Sequence, residues 1–410
     1  MAPVSWSDLP EELLESIFKK PTNVVNLYNC RYVCRSWRSV VDKVLASTPP
    51  HLLVYEKRRI VRIISFLNVF TGESRLYRLP KFKTGDGQPL FPRSVYSWHR
   101  WLVMDCMVMD CSTRDRHICL YNPFTRARIR LPAFKLDNYL DHRRKRKFLL
   151  SCEPKNPRSI GLAICDGRYL EKLMFWNPGD EEWTTFVEES MRIVDITSYK
   201  GGFCVLGDGY LKFIQFDTES VPHLKITYVL SSYYHPNQYP VESPCGDLLL
   251  VQLNIGCKIK IFKMDWKRKA WDEIKSLGDE AIFLSCAESV CIRAEDSTIF
   301  KPNCIYFTDG AFMPVEQKEL GVYDIANQTV GSVTLSIPFD DDEQCCRWRV
   351  SSWFKVHVFW NLLETIKFKV YKLDWERMEW DEIKRLGEEA IFLCCDGSAC
   401  IRADDYHIQT

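Results

Sequence analysis

One short phrase recurs along this chain: an apolar strand, a turn carrying Asn-Pro or Asp, and a second strand that tends to open on an aromatic or basic residue. It reads ISFLNVFTGESRLYRLP from 64, ICLYNPFTRARIRLP from 118, LMFWNPGDEEWTTF from 173, LKFIQFD from 211, KIKIFKMDWKRKAWDEI from 258 and LGVYDIANQTVGSVTL from 320. Short apolar runs bounded by turn residues are strand signals. Successive phrases begin roughly 40 to 60 residues apart, the length of a four-stranded repeat unit. So small a sheet cannot cover its own faces, and stacking the units into a ring also hides their edges. From His51 onward the expectation is an all-β propeller of six or seven blades; a β-sandwich fits the spacing less well.

Residues 5–47 follow a different period. Asp8 is placed to cap a helix with Glu11 reaching back, and Pro10 falls in the first turn, where its missing N–H costs nothing. Leu13, Leu14, Ile17 and Phe18 gather on one face, Lys19 and Lys20 favour the carboxyl end, and Pro21 stops the helix. After Thr22 and Asn23, the steps Val24, Leu27, Cys30, Cys34, Trp37, Val41 and Val44 predict one or two further helices. A unit of about 45 residues with this many large apolar side chains is too small to bury them all, so some are left for a partner.

LPEELLESIF followed by LYNCRYVCRSWRSVV resembles the F-box, whose pattern is LPxELLxxI, a spacer, then a leucine and VCxxWR. The resemblance implies a three-helix module that docks on the Skp-type adaptor of SCF ubiquitin ligases and, through it, on a cullin. It also implies that Leu9, Pro10, Leu13, Leu14, Ile17, Leu27, Val33 and Cys34 line that contact, with Trp37 anchoring the module internally. Asn26 stands where Asp is common in the pattern, and Lys20-Pro21 replaces a usual apolar residue. Farther along, WSDLP, LYNPFTRARIRLP, FKMDWKRKAWDEIKSLGDEAIFL, and NCIYFTDG followed by GVYDI are similar to plant F-box proteins with a KIB-type β-propeller, over most of residues 5–340. That family implies a non-catalytic substrate receptor of a ubiquitin ligase, with the propeller holding an unidentified protein target. Such a receptor accelerates transfer by proximity alone. A second reading stays open, in which the propeller sequesters or inhibits a partner such as a kinase.

Composition narrows the rest. Lys plus Arg number 55 against 54 Asp plus Glu, so no overall field draws in nucleic acid or an anionic membrane. No apolar run approaches the roughly 18 residues of a membrane span and no leader precedes the helices, so the expected location is cytoplasmic, nuclear or both. The 18 cysteines are spread without a CxxC pair among eight histidines, which predicts reduced thiols and no metal. HRRKRK at 142–147 reads as a solvated loop, with an import signal or phosphate patch as the alternative, and FDDDE ending at Glu343 reads as a linker. The sequence holds no glycine-rich phosphate loop, HExxH or nucleophile elbow, so no catalytic residue and no cofactor are expected. A glycosidase-type propeller lacks a visible carboxylate pair. SVYSWHRW (94–101) and SSYYHPNQYP (231–240) look like aromatic recognition loops, unless their rings pack between blades.

The carboxyl end repeats itself. Residues 261–296 and 370–405 agree at 23 of 36 positions, pairing Trp266 with Trp375 and Trp271 with Trp380. The class is therefore α + β multidomain: a helical module over 1–50, a propeller over 51–340, and a partial duplicate of its last segment over 341–410. If the first copy closes the ring, residues from about 345 onward are surplus. They then form an outer strand pair, an interaction surface or a relic of duplication, and a partly ordered appendage is the expectation.

Overall fold

A computed structural model describes residues 9–19, 24–56, 60–108, 115–135, 147–166 except 155 and 157, 171–186, 193–216 except 208, 224–230, 237–254, 258–285, 289–294, 299–307, 319–334, 348–354, 370–374, 379–383, 389–394 and 397–402. Chain contacts divide it into two compact units: Met1–Thr48 with Val356–Thr410, and Pro49–Lys355.

The first unit opens with α1 (Glu11–Phe18), α2 (Val24–Cys30) and α3 (Arg35–Ser47). Pro10 takes the N-cap of α1 rather than a place inside its first turn, with ψ 145° and its carbonyl accepting from the Leu14 N–H at 3.1 Å. Asp8, Lys20-Pro21 and the Thr22-Asn23 pair lie outside the described residues. Cys34 opens α3 from extended backbone, its sulfur accepting from the Trp37 N–H at 3.5 Å.

The second unit is a six-bladed β-propeller. Its first sheet holds β1 (His51–Glu56), β2 (Ile63–Leu67) and β3 (Ser74–Arg78); its second, β4 (Phe82–Lys83), β5 (Pro89–Trp98), β6 (Trp101–Val108), β7 (Asp115–Tyr121) and β8 (Arg128–Lys135). The third contains β9 (Lys147–Leu150), β10 (Gly161–Asp166), β11 (Glu171–Trp176) and β12 (Thr184–Phe186). The fourth is β13 (Ile193–Tyr199), β14 (Gly202–Gly207), β15 (Tyr210–Phe216) and β16 (Leu224–Leu230). The fifth is β17 (Gln238–Glu242), β18 (Leu248–Asn254), β19 (Lys258–Asp265) and β20 (Ala270–Ile274). The sixth contains β21 (Glu280–Leu284), β22 (Val290–Arg293), β23 (Cys304–Phe307), β24 (Glu319–Asp324) and β25 (Thr329–Thr334), in the order β22-β21-β23-β24-β25 with β21 and β23 parallel.

The recurring phrase earns its turn residues. Asn68 accepts the Phe70 and Thr71 N–H groups, Asn122 those of Phe124 and Thr125, and Asp265 those of Lys267 and Arg268, all within 3.3 Å. Each side chain closes an Asx turn that stands in for backbone pairing where the strand reverses. Apolar faces then pack sheet against sheet. Leu52, Val54 and Leu67 of the first sheet join Phe283, Tyr306 and Leu320 of the sixth, while Cys204, Leu206 and Leu211 of the fourth join Leu248, Leu250 and Met264 of the fifth. Between the third and fourth sheets the buried Lys147 ammonium meets Asp195 at 3.0 Å, and Asp195 also accepts its neighbour's N–H.

One strand departs from the expected boundary at 340. β26 (Trp348–Phe354) pairs antiparallel with β1, from His51↔Phe354 to Glu56↔Trp348, and makes the first sheet β26-β1-β2-β3. Residues 348–354 are thus part of the propeller, because β1 otherwise presents an open ladder edge toward the ring interior. β26 lies against β5, just as β9 lies against β13 and β13 against β17, so it is the axial strand of its blade.

Beyond it, β27 (Val370–Asp374) pairs with β28 (Glu379–Ile383), and β29 (Glu389–Cys394) with β30 (Gly397–Arg402). Their registers reproduce the first copy position for position: Leu373↔Trp380 answers Met264↔Trp271, and Ile391↔Cys400 answers Ile282↔Cys291. In the first copy those hairpins sit in larger sheets; here each forms a two-stranded sheet.

Candidate functional site

The helical module sorts its apolar residues into two sets. Leu14, Phe18, Leu27, Tyr28, Trp37, Val40, Val41, Val44 and Leu45 are buried. Phe18 meets the Trp37 ring edge-on at 5.1 Å between centroids, a geometry that adds to area burial. Arg31 ties the α2–α3 turn to α3 through Asp42, stacks over Tyr28 at 4.9 Å and receives the Arg38 side chain on its carbonyl.

Leu13, Ile17 and Val33 remain outside this core, at 53, 42 and 50 % exposure. Half of the six large apolar side chains exposed among the described residues therefore fall within positions 13–33. Leu13 and Ile17 are one helical turn apart, and Pro10, also exposed, continues the stripe at its amino end; Leu9 is partly covered. Charged groups flank the stripe. Lys19 pairs with Glu15 at 2.6 Å and holds its carboxyl below the usual range, while Lys43 reaches Glu11, which raises the ammonium. Exposed pairs of this kind add little stability; they keep the patch rimmed by polar groups.

The eight residues grouped by resemblance are thus not all surface. Pro10, Leu13, Ile17 and Val33 are exposed. Leu14 and Leu27 are 0 and 5 % exposed, because the α1 face that carries Leu14 and Phe18 is the one covered by α3. Cys34 is half-buried and serves as the cap of α3. Trp37, at 4 % exposure, is in the module's core.

In the propeller, SVYSWHRW is not a loop. Residues 94–98 and 101 lie in β5 and β6, Trp98 pairs with Trp101, and both are 1 % exposed. His99, at φ 47°, and Arg100 alone make the turn, and Arg100 and the Trp101 indole N–H both donate to Glu153. Of SSYYHPNQYP, residues 238–240 open β17 with Tyr239 buried, and 231–236 lie outside the described residues. Most of HRRKRK and all of FDDDE lie outside them too. Among the described residues nine cysteines are free thiols, and burial pushes those of Cys204 and Cys291 well up. No helix among them is long and apolar enough to cross a membrane.

Residues 6–46 match the F-box-like family model, and residues 66–324 and 346–410 match the KIB1-4 beta-propeller model. The second of those propeller intervals contains the duplicate. Among Arabidopsis thaliana proteins, "F-box protein At2g17690" is 23% identical over 98% of this chain and 88% of its own length. "Putative F-box protein At4g17565" is 22% identical over 79% of this chain and 89% of its own length. "F-box/kelch-repeat protein KIB1" is 25% identical over 51% of this chain and 54% of its own length.

Proposed function

The chain belongs to the KIB1-4 β-propeller family and carries an F-box-like module, and from that premise we propose that it is the substrate-recognition subunit of an SCF-type ubiquitin ligase. The observation that supports the reading most is the exposed Pro10–Leu13–Ile17 stripe with Val33, held on a helical module whose own core is already filled. Half-exposed Leu and Ile side chains have about 1 kcal/mol each to gain from burial on a partner, and a Skp-type adaptor is the partner an F-box takes. The propeller then holds a protein target beside the charged conjugating enzyme, and the receptor works by raising effective concentration, with no catalytic group of its own. Such a complex operates in the cytoplasm, the nucleus or both.

The test is capture of the Skp-type adaptor by the full chain against a variant carrying Leu13→Asp and Ile17→Asp. Both positions are exposed, so the variant keeps its core. Capture by the wild type and loss of at least about 100-fold in affinity, near 2.7 kcal/mol, is the expected result. A folded wild-type chain that fails to capture the adaptor overturns the ligase reading in favour of sequestration.

A further inference from the structure

Between the fifth and sixth sheets lies a cleft of about 610 Å³. One wall is the turn from Ser243 to Asp247, pinned before any ligand arrives. The Ser243 hydroxyl accepts the N–H groups of Cys245 and Asp247 at 3.2 and 3.1 Å, and Tyr199 donates to the Gly246 carbonyl at 3.1 Å. The apolar side is Leu249, Ile274 and Leu277.

Charge in the cleft is unevenly satisfied. Three carboxylates, Asp247, Asp279 and Glu280, line it against two cations, Lys263 and Arg293. Asp247 is taken by Lys263 at 2.6 Å, and that bond raises the ammonium. Glu280 fares worse: its side-chain donors among the described residues are thiols, Cys291 at 3.5 Å and Cys245. Thiols are weak donors, and burial pushes this carboxyl up. Arg293, its strand partner across β21 and β22, directs a nitrogen at the Cys245 sulfur, 3.6 Å away. A carboxylate so poorly supplied gains most from a ligand that brings charged N–H groups, and the neighbouring Leu and Ile side chains suit an aliphatic stem.

We propose that this cleft seats a lysine or arginine side chain presented by an extended segment of a partner protein, with Glu280 as the anion that receives it. The assignment rests on the receptor reading for the partner's being a protein, and adds the place and chemistry of recognition. An anionic ligand is disfavoured: the cleft's carboxylates outnumber its cations, and Lys263 is already paired with Asp247.

The experiment overlays the full chain on immobilised nonapeptide pools, each fixed at its central position as Lys, Arg, norleucine, Glu or phosphoserine. Wild type should retain the Lys and Arg pools about tenfold over norleucine, about 1.4 kcal/mol. Glu280→Gln, nearly isosteric, should abolish that preference while melting no lower than wild type, and Glu280→Lys should turn it toward the Glu pool. Equal retention of all pools, preference for phosphoserine, or a Lys preference surviving Glu280→Gln overturns the assignment. Adaptor capture measured on the same preparations separates the two readings. Lost capture with intact Lys preference removes the ligase and keeps the cleft; intact capture without Lys preference removes only the cleft.

Discussion

Excising Trp348–Phe354 from the chain should open the propeller. Every residue of β1 from His51 to Glu56 has a partner in β26, so the excision removes a ladder of about six hydrogen bonds, near 1 kcal/mol net apiece. Leu52, Leu53 and Val54, now at most 1 % exposed, lose cover along that edge for roughly another 1 kcal/mol. The sum, about 7 kcal/mol, is comparable with the whole net stability of a folded domain. At about 2 °C per kcal/mol for a body of this size, the melting temperature falls by about 14 °C if the ring still forms at all. Far-ultraviolet circular dichroism during a thermal ramp reads this directly. As the control, excising Val370–Arg402 removes four strands, β27 to β30, but none from a propeller sheet, and should leave the propeller transition in place. A melting temperature within about 2 °C of the intact chain after loss of Trp348–Phe354 would refute the sealing role of β26.

Three further outcomes follow from the packing. Trp37→Ala should cost the helical module about 3–5 kcal/mol and abolish adaptor capture, read as loss of helical dichroism together with capture. Asp195→Ala strands the buried Lys147 ammonium and should destabilise the propeller by about 3–5 kcal/mol, whereas pairing it with Lys147→Met should recover most of that in chemical denaturation. Burial raises the Glu242 carboxyl, so between the unfolded value near 4.3 and the folded one the native state binds more protons, and stability from this group declines as pH rises. Glu242→Gln should therefore stabilise the chain at pH 7 more than at pH 4; an equal effect at both would exclude the charge as the cause.

What could be read in the sequence was whatever is decided locally. The Asn and Asp turns announced the strand pairs because each closes with bonds to residues two and three places on. The helices showed because Leu14, Phe18, Trp37 and Val41 repeat at helical spacing onto one core. Two features had no local signal. β26 pairs with a strand about 300 residues away, and nothing within RWRVSSWF names that partner. The parallel pairing of β21 with β23 likewise has no local signal, because β22 lies between them in sequence. Within the helical module the F-box pattern carries no facing of its own, since Leu13 and Leu14 are adjacent in sequence and opposite in burial. SVYSWHRW misled because its two-residue turn, His99-Arg100, contains neither Gly nor Asn, the usual residues for a positive φ.

The axial strand of the first blade comes from residues 348–354, so synthesis order and assembly order disagree. The ribosome delivers β1, β2 and β3 early, and they wait as a three-stranded sheet through nearly 270 further residues, until β26 exists to join them. A chain cut short anywhere before residue 348 leaves that sheet exposed, an aggregation-prone state of the kind chaperones and proteases recognise. Sealing with that strand thus works as proofreading: a molecule whose six blades stand in a closed ring is one whose translation ran at least that far.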